Sequence, residues 1–214
     1  GANATWALVG INVAVFALWC VPRLGPRMAR HGLHDPRSGL AHTLLTSAFS
    51  HSSFMHLAFN MAALVSFAPL CQQLAFPGSP ESFLALYLSA AVSSSLASHL
   101  ASVLGFRQLV LPSLGASGAL WALLALFWQL APHAPVGIMF IPHLRFEAGD
   151  LIPFLVGADV AGLFFGWTYF DHVAHLGGMV TGYWYAHYGR TAWLRLQHRL
   201  EQHRHALSWT SRRA

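Results

Sequence analysis

The sequence predicts an all-α membrane protein built as a bundle of six transmembrane helices. Hydrophobic residues make up 55% of the 214 residues and charged residues only 9%, whereas a soluble domain carries about 25% charged residues. Six apolar stretches are long enough, or nearly so, to cross a bilayer as helices of about 20 residues. They lie near residues 5–21, 54–74, 82–103, 115–131, 151–168 and 173–188. We therefore divide the chain into a membrane domain, 1–188, and a tail, 189–214.

A long loop, residues 22–50, follows the first stretch. It contains four arginines and several helix breakers, and a loop of this length in a compact domain is often functional. Its segment Thr43–Ser50 is partly apolar, so we expect it to lie in the membrane interface rather than to cross. The tail carries six arginines. Because the loop and the tail lie on opposite faces of a six-span arrangement, the positive-inside rule gives no orientation.

Turn residues separate the later stretches. Pro77-Gly78 and Pro80 precede the third stretch, as is typical of a turn. Residues 132–150 include an apolar piece, Val136–Ile141, that is too short to cross a membrane. Asp171 has the side chain of an N-cap for the sixth helix.

The tail is polar and rich in arginine. Apolar residues recur at helical spacing between the arginines, namely Trp193, Leu196, Leu200 and Leu207 among Arg195, Arg199 and Arg204. This pattern predicts a basic amphipathic helix on the membrane surface. All twelve basic residues are arginines and the formal net charge is +5. In a membrane protein such charge indicates topology and contact with anionic lipid, so we expect membrane lipid, and not nucleic acid, as a partner.

A serine lies in a glycine-rich turn at the start of the fourth stretch, Gly115-Ala116-Ser117-Gly118. The N-terminus of a helix presents free N–H groups and a positive dipole end, which would stabilise an oxyanion beside Ser117. The glycines Gly115 and Gly118 leave room for a second backbone. Small residues in membrane helices also mediate helix packing, so this motif alone is weak evidence for a nucleophile.

A histidine, His175, lies in the sixth stretch. Gly178 and Gly182 form a small-xxx-small ridge that lets two membrane helices pack closely. If the partner is the fourth helix, His175 reaches Ser117 and can take its hydroxyl proton as a general base. The alternative is a histidine whose hydrogen bond is satisfied by a carbonyl group.

A third polar cluster contains His51, His56 and Asn60. His56 and Asn60 are four residues apart and therefore share one face of the second helix. Both can donate hydrogen bonds to an oxyanion, together with the backbone N–H of Ser117. The alternative is that the three side chains join helices or, for His51, lie at the membrane interface.

Together these three clusters resemble the rhomboid family of intramembrane serine proteases. Their order, and their places on the second, fourth and sixth stretches, agree with the family. The segments Ser47–Asn60, Pro112–Ala119 and Phe170–Gly178 are most similar to its mitochondrial, presenilin-associated rhomboid-like branch. The resemblance implies a rhomboid-like six-helix bundle in the mitochondrial inner membrane that cleaves single-pass membrane proteins in or near their spans. Because that branch often has an extra helix before the core, and this chain begins with Gly1, we expect an upstream segment to be missing here.

The resemblance also assigns roles to particular residues. It implies that Ser117 is the nucleophile, that His175 is the general base, and that His56 and Asn60 bind the oxyanion. It implies no cofactor and no metal. Bacterial relatives often carry a tyrosine four residues after the serine, under the histidine ring, where this chain has Trp121. Stacking of Trp121 on His175 is therefore a hypothesis, and a core or lipid-facing tryptophan is the alternative.

Two acidic residues and a group of phenylalanines complete the candidates. Asp171 could extend the serine–histidine pair to a triad, but we predict an N-cap because the family works with a dyad. Asp159, inside the fifth stretch, either lines a water-filled cavity or bonds a neighbouring helix. The family also implies lateral entry of substrate between the second and fifth spans, and the candidates to line that gate are Phe154, Phe164 and Phe165.

Three other functions compete with a serine protease. Asp171, His172 and His175 have the spacing of metal ligands, but the chain contains no His-Glu-x-x-His motif of a metalloprotease. A transporter could use polar groups at mid-depth, but the sequence has no apparent inverted repeat. A catalytically silent rhomboid-like protein that binds membrane clients is the main alternative, although Ser117 and His175 are both present.

Overall fold

The computed structural model describes residues 2–104, 112–138 and 141–211. Within these residues the chain is mostly helical, with one two-stranded sheet. The α-helices are α1 (Ala2–Trp19), α2 (Gly25–Gly32), α3 (Thr43–Thr46), α4 (Phe54–Ala75), α5 (Pro80–Val103), α6 (Ser117–Leu130), α7 (Ala148–Phe165), α8 (His172–Trp184) and α9 (Arg190–Ser211). The strands are β1 (Pro135–Ile138) and β2 (Ile141–Glu147).

Each of the six predicted stretches overlaps one helix, namely α1, α4, α5, α6, α7 and α8 in chain order, and the ends differ by a few residues. Among the described residues, α4, α5 and α7 are individually long and apolar enough to cross a membrane. The helices Asn3–Trp19 and Pro22–Gly32 meet that criterion only as a pair, with a bend of 92° between them. α6 is a shorter apolar helix. A helical membrane protein is therefore confirmed, whereas the crossing of the membrane by all six stretches is still a prediction.

α6 lies at the centre of the bundle and packs on α4, α5, α7 and α8. Its most extensive contact is with α8, and glycines make that contact close. A Cβ atom added to Gly178 would overlap the carbonyl oxygen of Gly118, and one added to Gly182 would overlap that of Ala122. The predicted glycine ridge therefore does pack on the fourth apolar stretch, because only the absence of a side chain allows the two backbones to approach so closely.

α5 covers the other side of α8 through small and hydroxylated side chains. The hydroxyl groups of Ser93 and Thr181 lie 2.9 Å apart. Ser98 donates a hydrogen bond of 2.7 Å to one carboxylate oxygen of Asp171, and the other oxygen accepts from the Ala174 N–H at 2.9 Å. Asp171 is thus the N-cap of α8, as the sequence predicts, and the cap is also tied to α5.

The loop 22–50 is folded against the segment that leads into α6. The backbones of His34 and Ser113 exchange two hydrogen bonds of 3.0 Å. The His34 ring joins two further elements, with Nδ1 2.8 Å from the Thr43 hydroxyl and Nε2 3.1 Å from Nδ1 of His99 on α5. The part predicted to lie in the membrane interface forms α3 and a 3₁₀ turn, Ser47–Phe49. This loop therefore packs against the segment that precedes α6. Its depth in the membrane stays a prediction.

An unpredicted β-hairpin joins α6 to α7. β1 and β2 are antiparallel, with Pro135 opposite Glu147 and an irregularity between Gly137 and Ile138. Polar and apolar residues alternate over 143–147, which is the pattern of a strand. The predicted short apolar piece overlaps the hairpin, although its residues 139–140 lie outside the described residues.

The tail continues α8 without a break. A π-helical turn, Tyr185–Gly189, connects α8 directly to α9. Trp193 donates a hydrogen bond of 2.7 Å from its indole N–H to the Ser82 hydroxyl on α5, so the tail begins by packing on the bundle. The boundary at 188/189 therefore stays a prediction from composition. The tail residues Arg204, Leu207 and 212–214 lie outside the residues whose side chains are described.

Candidate active site

A glycine with unusual backbone geometry presents Ser117. Gly115 has φ +127°, a conformation that residues with a side chain rarely adopt. Its N–H donates to the Ser47 carbonyl at 3.0 Å. A Cβ atom at Gly115 would lie 2.8 Å from two atoms of the His56 ring. Both the backbone angle and the close approach of His56 therefore require glycine two residues before the serine.

Ser117 and His175 are hydrogen-bonded. Ser117 is the first residue of α6 and is half-buried, and its Oγ lies 2.9 Å from Nε2 of His175. His175 is on α8 and is only 7% exposed. Gly118, the next residue, lets α6 approach α5, because a Cβ atom there would overlap the Ser94 side chain on α5. The geometry that a nucleophile and its general base need is therefore present at the predicted residues.

Asp159 of α7 lies on the far side of the His175 ring. Its two carboxylate oxygens lie 3.1 and 3.2 Å from Nδ1 of His175, and the residue is 5% exposed. An ionised carboxylate only accepts hydrogen bonds, so Nδ1 carries the ring proton and Nε2 accepts the Ser117 O–H. Of the two possibilities left open by the sequence, Asp159 bonds a neighbouring helix. The acidic residue next to the serine–histidine pair is therefore Asp159 and not Asp171.

His172 shares the same carboxylate. Its Nδ1 also bonds to Oδ1 of Asp159, and the ring is 4% exposed. The ring lies against Gly162 of α7, where an added Cβ atom would overlap it. The side-chain ligand atoms of Asp159, His172 and His175 all lie within 4.8 Å of one another, so these three residues could hold a metal ion. The acidic residue that the sequence spacing placed with these two histidines, Asp171, caps α8 instead.

Aromatic rings surround the two histidines. The centroids of Trp121 and His175 lie 5.3 Å apart, with 31° between the ring planes. Phe170 lies 6.1 Å from the ring of His175, and Trp167 lies 6.4 Å from that of His172. The contact that the stacking hypothesis requires is therefore present for Trp121. Its effect on the reaction stays a prediction.

The cluster predicted to bind the oxyanion meets the glycine turn. His56 contacts Gly115, and Asn60 Nδ2 lies 3.9 Å from the position of a Cβ atom there. The Asn60 amide donates one hydrogen bond, at 3.1 Å, to the His56 carbonyl. Among the described residues its second N–H has no acceptor, so it is available to a ligand. His51 is buried, with its ring 4.9 Å from that of His56 and edge-on to it. Burial and the neighbouring His56 lower the pKa of His51 to about 4, which keeps it neutral at pH 7.

The three candidate gate residues lie on the outside of α7. Phe154, Phe164 and Phe165 are 72%, 85% and 68% exposed. α4 and α7, the helices of the predicted gate, both pack on α6. Exposure on this helix is compatible with a gate that faces lipid, and the gate stays a prediction.

The fold and the site together define a helical membrane protein in which a serine, a histidine and an aspartate form one hydrogen-bonded row. The family model of the rhomboid domain matches residues 38–191, and the chain belongs to the rhomboid family. It is 40% identical over 190 residues to the human presenilin-associated rhomboid-like protein, mitochondrial, a match that covers 88% of this chain and 49% of the human protein.

Two further relatives extend the comparison beyond animals. Rhomboid protein 1, mitochondrial, of Saccharomyces cerevisiae is 38% identical over 189 residues, which cover 87% of this chain and 53% of the yeast protein. RHOMBOID-like protein 12, mitochondrial, of Arabidopsis thaliana is 33% identical over 186 residues, with 80% and 54% covered. The chain thus spans about half the length of the relatives it matches. The resemblance to the mitochondrial branch is confirmed, and the chain is a multi-pass mitochondrial membrane protein.

Proposed function

We propose that this chain is a serine endopeptidase of the mitochondrial inner membrane that cleaves single-pass membrane proteins in or near their transmembrane segments. The observation that carries the proposal is the 2.9 Å hydrogen bond between Ser117 Oγ and His175 Nε2. It is formed at the N-terminus of a helix, next to a glycine turn that leaves space for a substrate backbone. A serine and a histidine that only join helices need none of these additional features.

The reaction begins with attack of Ser117 Oγ on the scissile carbonyl carbon, while its proton passes to His175 Nε2. The oxyanion accepts hydrogen bonds from the Ser117 N–H, Asn60 and His56. The C–N bond then breaks, and His175 returns the proton to the leaving amine. A water molecule, deprotonated by the same nitrogen, attacks the acyl-enzyme, which releases the new carboxyl group and restores the serine hydroxyl.

Asp159 acts in this scheme as a positioning residue. Its carboxylate holds the proton of His175 on Nδ1, at 3.1 and 3.2 Å, and so keeps Nε2 free to accept the serine proton. It also stabilises the imidazolium that forms in the transition state. Trp121 packs on the ring of His175 and restricts its rotation, and His51 supports His56 in the same way.

The substrate has to be unfolded locally before it is cut, because the carbonyl groups of a membrane helix are hydrogen-bonded within the helix. We propose that the substrate enters between α4 and α7, past the exposed phenylalanines of α7, and that residues with low helix propensity in its span favour unwinding into the site. The transmembrane protein substrate is the proposed partner, and the reaction uses no cofactor.

The test is cleavage of a single-span reporter with a destabilised helix in liposomes. Wild type is compared with Ser117→Ala and His175→Ala. Ser113→Ala is the matched control, because its bonds to His34 are made by the backbone. We expect cleavage by wild type and Ser113→Ala, and none by the two site variants.

The alternative predicts a different result. A catalytically silent rhomboid-like protein would bind the reporter without cutting it, and Ser117→Ala and His175→Ala would bind like wild type. Binding of several reporters by folded wild-type protein, with no cleavage of any of them, would replace the protease by this alternative.

A further inference from the structure

One carboxylate joins two histidines beside the candidate catalytic serine. His172 and His175 lie three residues apart on one face of α8 and both turn Nδ1 toward Asp159 of α7. All three side chains are buried. Only His175 is used by the proposed reaction as a base, so the second histidine at the same carboxylate requires an explanation of its own.

We propose that Asp159, His172 and His175 form a binding site for Zn²⁺, and that the bound ion switches the enzyme off. The inhibitory effect rests on the proposed protease function, whereas the metal site does not. Two imidazole nitrogens and one carboxylate oxygen are a ligand set that zinc binds, with a fourth position left for water. Because both nitrogens are imidazole donors, the site favours zinc over Mg²⁺ and Ca²⁺, which prefer oxygen ligands.

The distances in the cluster suit such an ion. Ligand atoms that lie 2.0–2.2 Å from a tetrahedral zinc are separated from each other by about 3.3 Å. The His175 nitrogen lies 3.1 and 3.2 Å from the two Asp159 oxygens, and the ligand atoms of the whole cluster lie within 4.8 Å of one another. Small side-chain movements are therefore enough to admit the ion.

The ion inhibits because it binds Nδ1 of His175, the nitrogen that carries the ring proton when the serine is activated. Zinc binds a ring nitrogen through its lone pair, so Nδ1 of His175 has to give up its proton when it becomes a ligand. In a neutral ring the single proton then lies on Nε2. A protonated Nε2 donates a hydrogen bond to Ser117 and can no longer accept the proton of its hydroxyl group. The nucleophile is therefore not activated, although the protein stays folded.

The cluster lies close to the surface. The connection 166–171 runs over it, and its aromatic residues Trp167 and Phe170 contact the two histidines. These two residues are 49% and 65% exposed. An ion thus reaches the cluster by displacement of this short connection, without passing through the packed helices α5, α6 and α8.

The metal site is tested first by binding. Zn²⁺ is titrated into purified Ser117→Ala protein in detergent, and the dissociation constant of the tightest ion is measured by competition with a fluorescent chelator. We expect His172→Gln and Asp159→Asn to raise the dissociation constant of that ion at least 10-fold. His172→Cys restores a zinc ligand and should leave the dissociation constant close to that of the parent protein. The matched control is His42→Gln, because His31 and His42 form another histidine pair, 3.0 Å apart and exposed.

Inhibition is tested by cleavage of the liposome reporter in a zinc titration. We expect Zn²⁺ to inhibit wild type and His42→Gln equally, EDTA to restore both, and Mg²⁺ to have no effect. His172→Gln should need at least 10-fold more Zn²⁺ for half-inhibition, measured against its own activity without metal.

Each possible failure has a distinct meaning. If the tightest ion is lost with His42→Gln and kept with His172→Gln, the exposed pair is the zinc site and the proposal is wrong. If the ion binds as expected but cleavage is insensitive to it, the inhibitory role is wrong. If wild type cleaves no reporter, the proposed function fails while the binding titration still decides the metal site. Should His172→Gln not fold, Asp159→Asn and His172→Cys decide the binding.

Discussion

The α6–α8 pair and α7 contribute to the same row of side chains, but α6 and α8 are packed tightly against each other, whereas α7 is packed more loosely. α6 and α8 touch through their backbones at Gly178 and Gly182, where no Cβ atom fits. α7 has few buried residues and carries its phenylalanines on the outside. The serine and the histidine therefore belong to a rigid unit, whereas the carboxylate that orients the histidine belongs to a helix that is held more loosely. Movement of α7 would leave the serine and histidine together and alter the contact with Asp159.

The largest effect is expected from a methyl group in the rigid unit. Gly178→Ala places a Cβ atom on the Gly118 carbonyl oxygen, so the helices have to separate at a cost of about 3 kcal/mol. We expect a correspondingly lower thermal midpoint and loss of cleavage. The matched control is Gly157→Ala on α7, where no described atom lies within 4 Å of the added Cβ. Equal stability of the two variants would contradict the contrast between the helices.

The second prediction separates the orientation of the His175 ring from the stability of the fold. Asp159→Asn removes the charge that holds the proton on His175 Nδ1, so we expect kcat to fall by about 10²-fold or more, with little change in KM. Asp171→Asn is the control, because the Asp171 side chain caps α8 and bonds Ser98 rather than the His175 ring. It should lower stability by about 1 kcal/mol and leave kcat within a few-fold of wild type. A similar loss of kcat in both variants would remove the special role of Asp159.

A third prediction concerns acid. His51 is buried, and its pKa is lowered from 6.5 to about 4. Above pH 6.5 this residue is neutral in both folded and unfolded protein. Between pH 6.5 and 4 the unfolded chain binds a proton that the folded protein resists, so stability falls by up to about 3 kcal/mol and then levels off.

The acid effect is measured as the free energy of unfolding of wild type and His51→Gln at several pH values. The other titrating groups are common to both proteins, so the difference between the two curves isolates His51. Parallel curves from pH 7 to 4 would show that His51 does not contribute to the loss of stability in acid.

The smallest effect on stability is expected on the outer face of α7. Phe164 is 85% exposed, so Phe164→Ala should change the free energy of unfolding by no more than about 0.5 kcal/mol. Phe83→Ala, at a fully buried position of α5, should cost about 3–5 kcal/mol. If Phe164 helps to close the gate, its replacement increases cleavage of the membrane-embedded reporter and leaves cleavage of a short soluble peptide unchanged.

The sequence predicted the serine–histidine contact because its determinants are local. The turn before Ser117 and the glycine ridge after His175 each lie within eight residues of the side chain that they position. The ridge also indicates a close helix–helix contact wherever it lies in the chain. The helical segments could likewise be predicted, since apolar length alone defines them.

The role of Asp159 could not be decided in the same way. It lies 16 residues before His175 and on another helix, so its contact depends on how α7 is rotated. The available signal was energetic: an acid in an apolar stretch needs a partner, and the next two histidines in the chain are His172 and His175. The hairpin was missed because its stretch of alternating residues is short and follows a proline-rich connection, which favours a loop.

The π-helical turn at Tyr185–Gly189 has a consequence for anyone who draws this region as one helical wheel. A π turn holds one residue more than an α turn, and one residue corresponds to a rotation of about 100° around the helix axis. Every position after Gly189 is therefore displaced by that angle relative to a wheel extended from His175. A wheel that ignores the extra residue would assign Trp193 to the wrong sector, and alignments or peptide mimics of this segment should be phased from Arg190 onward.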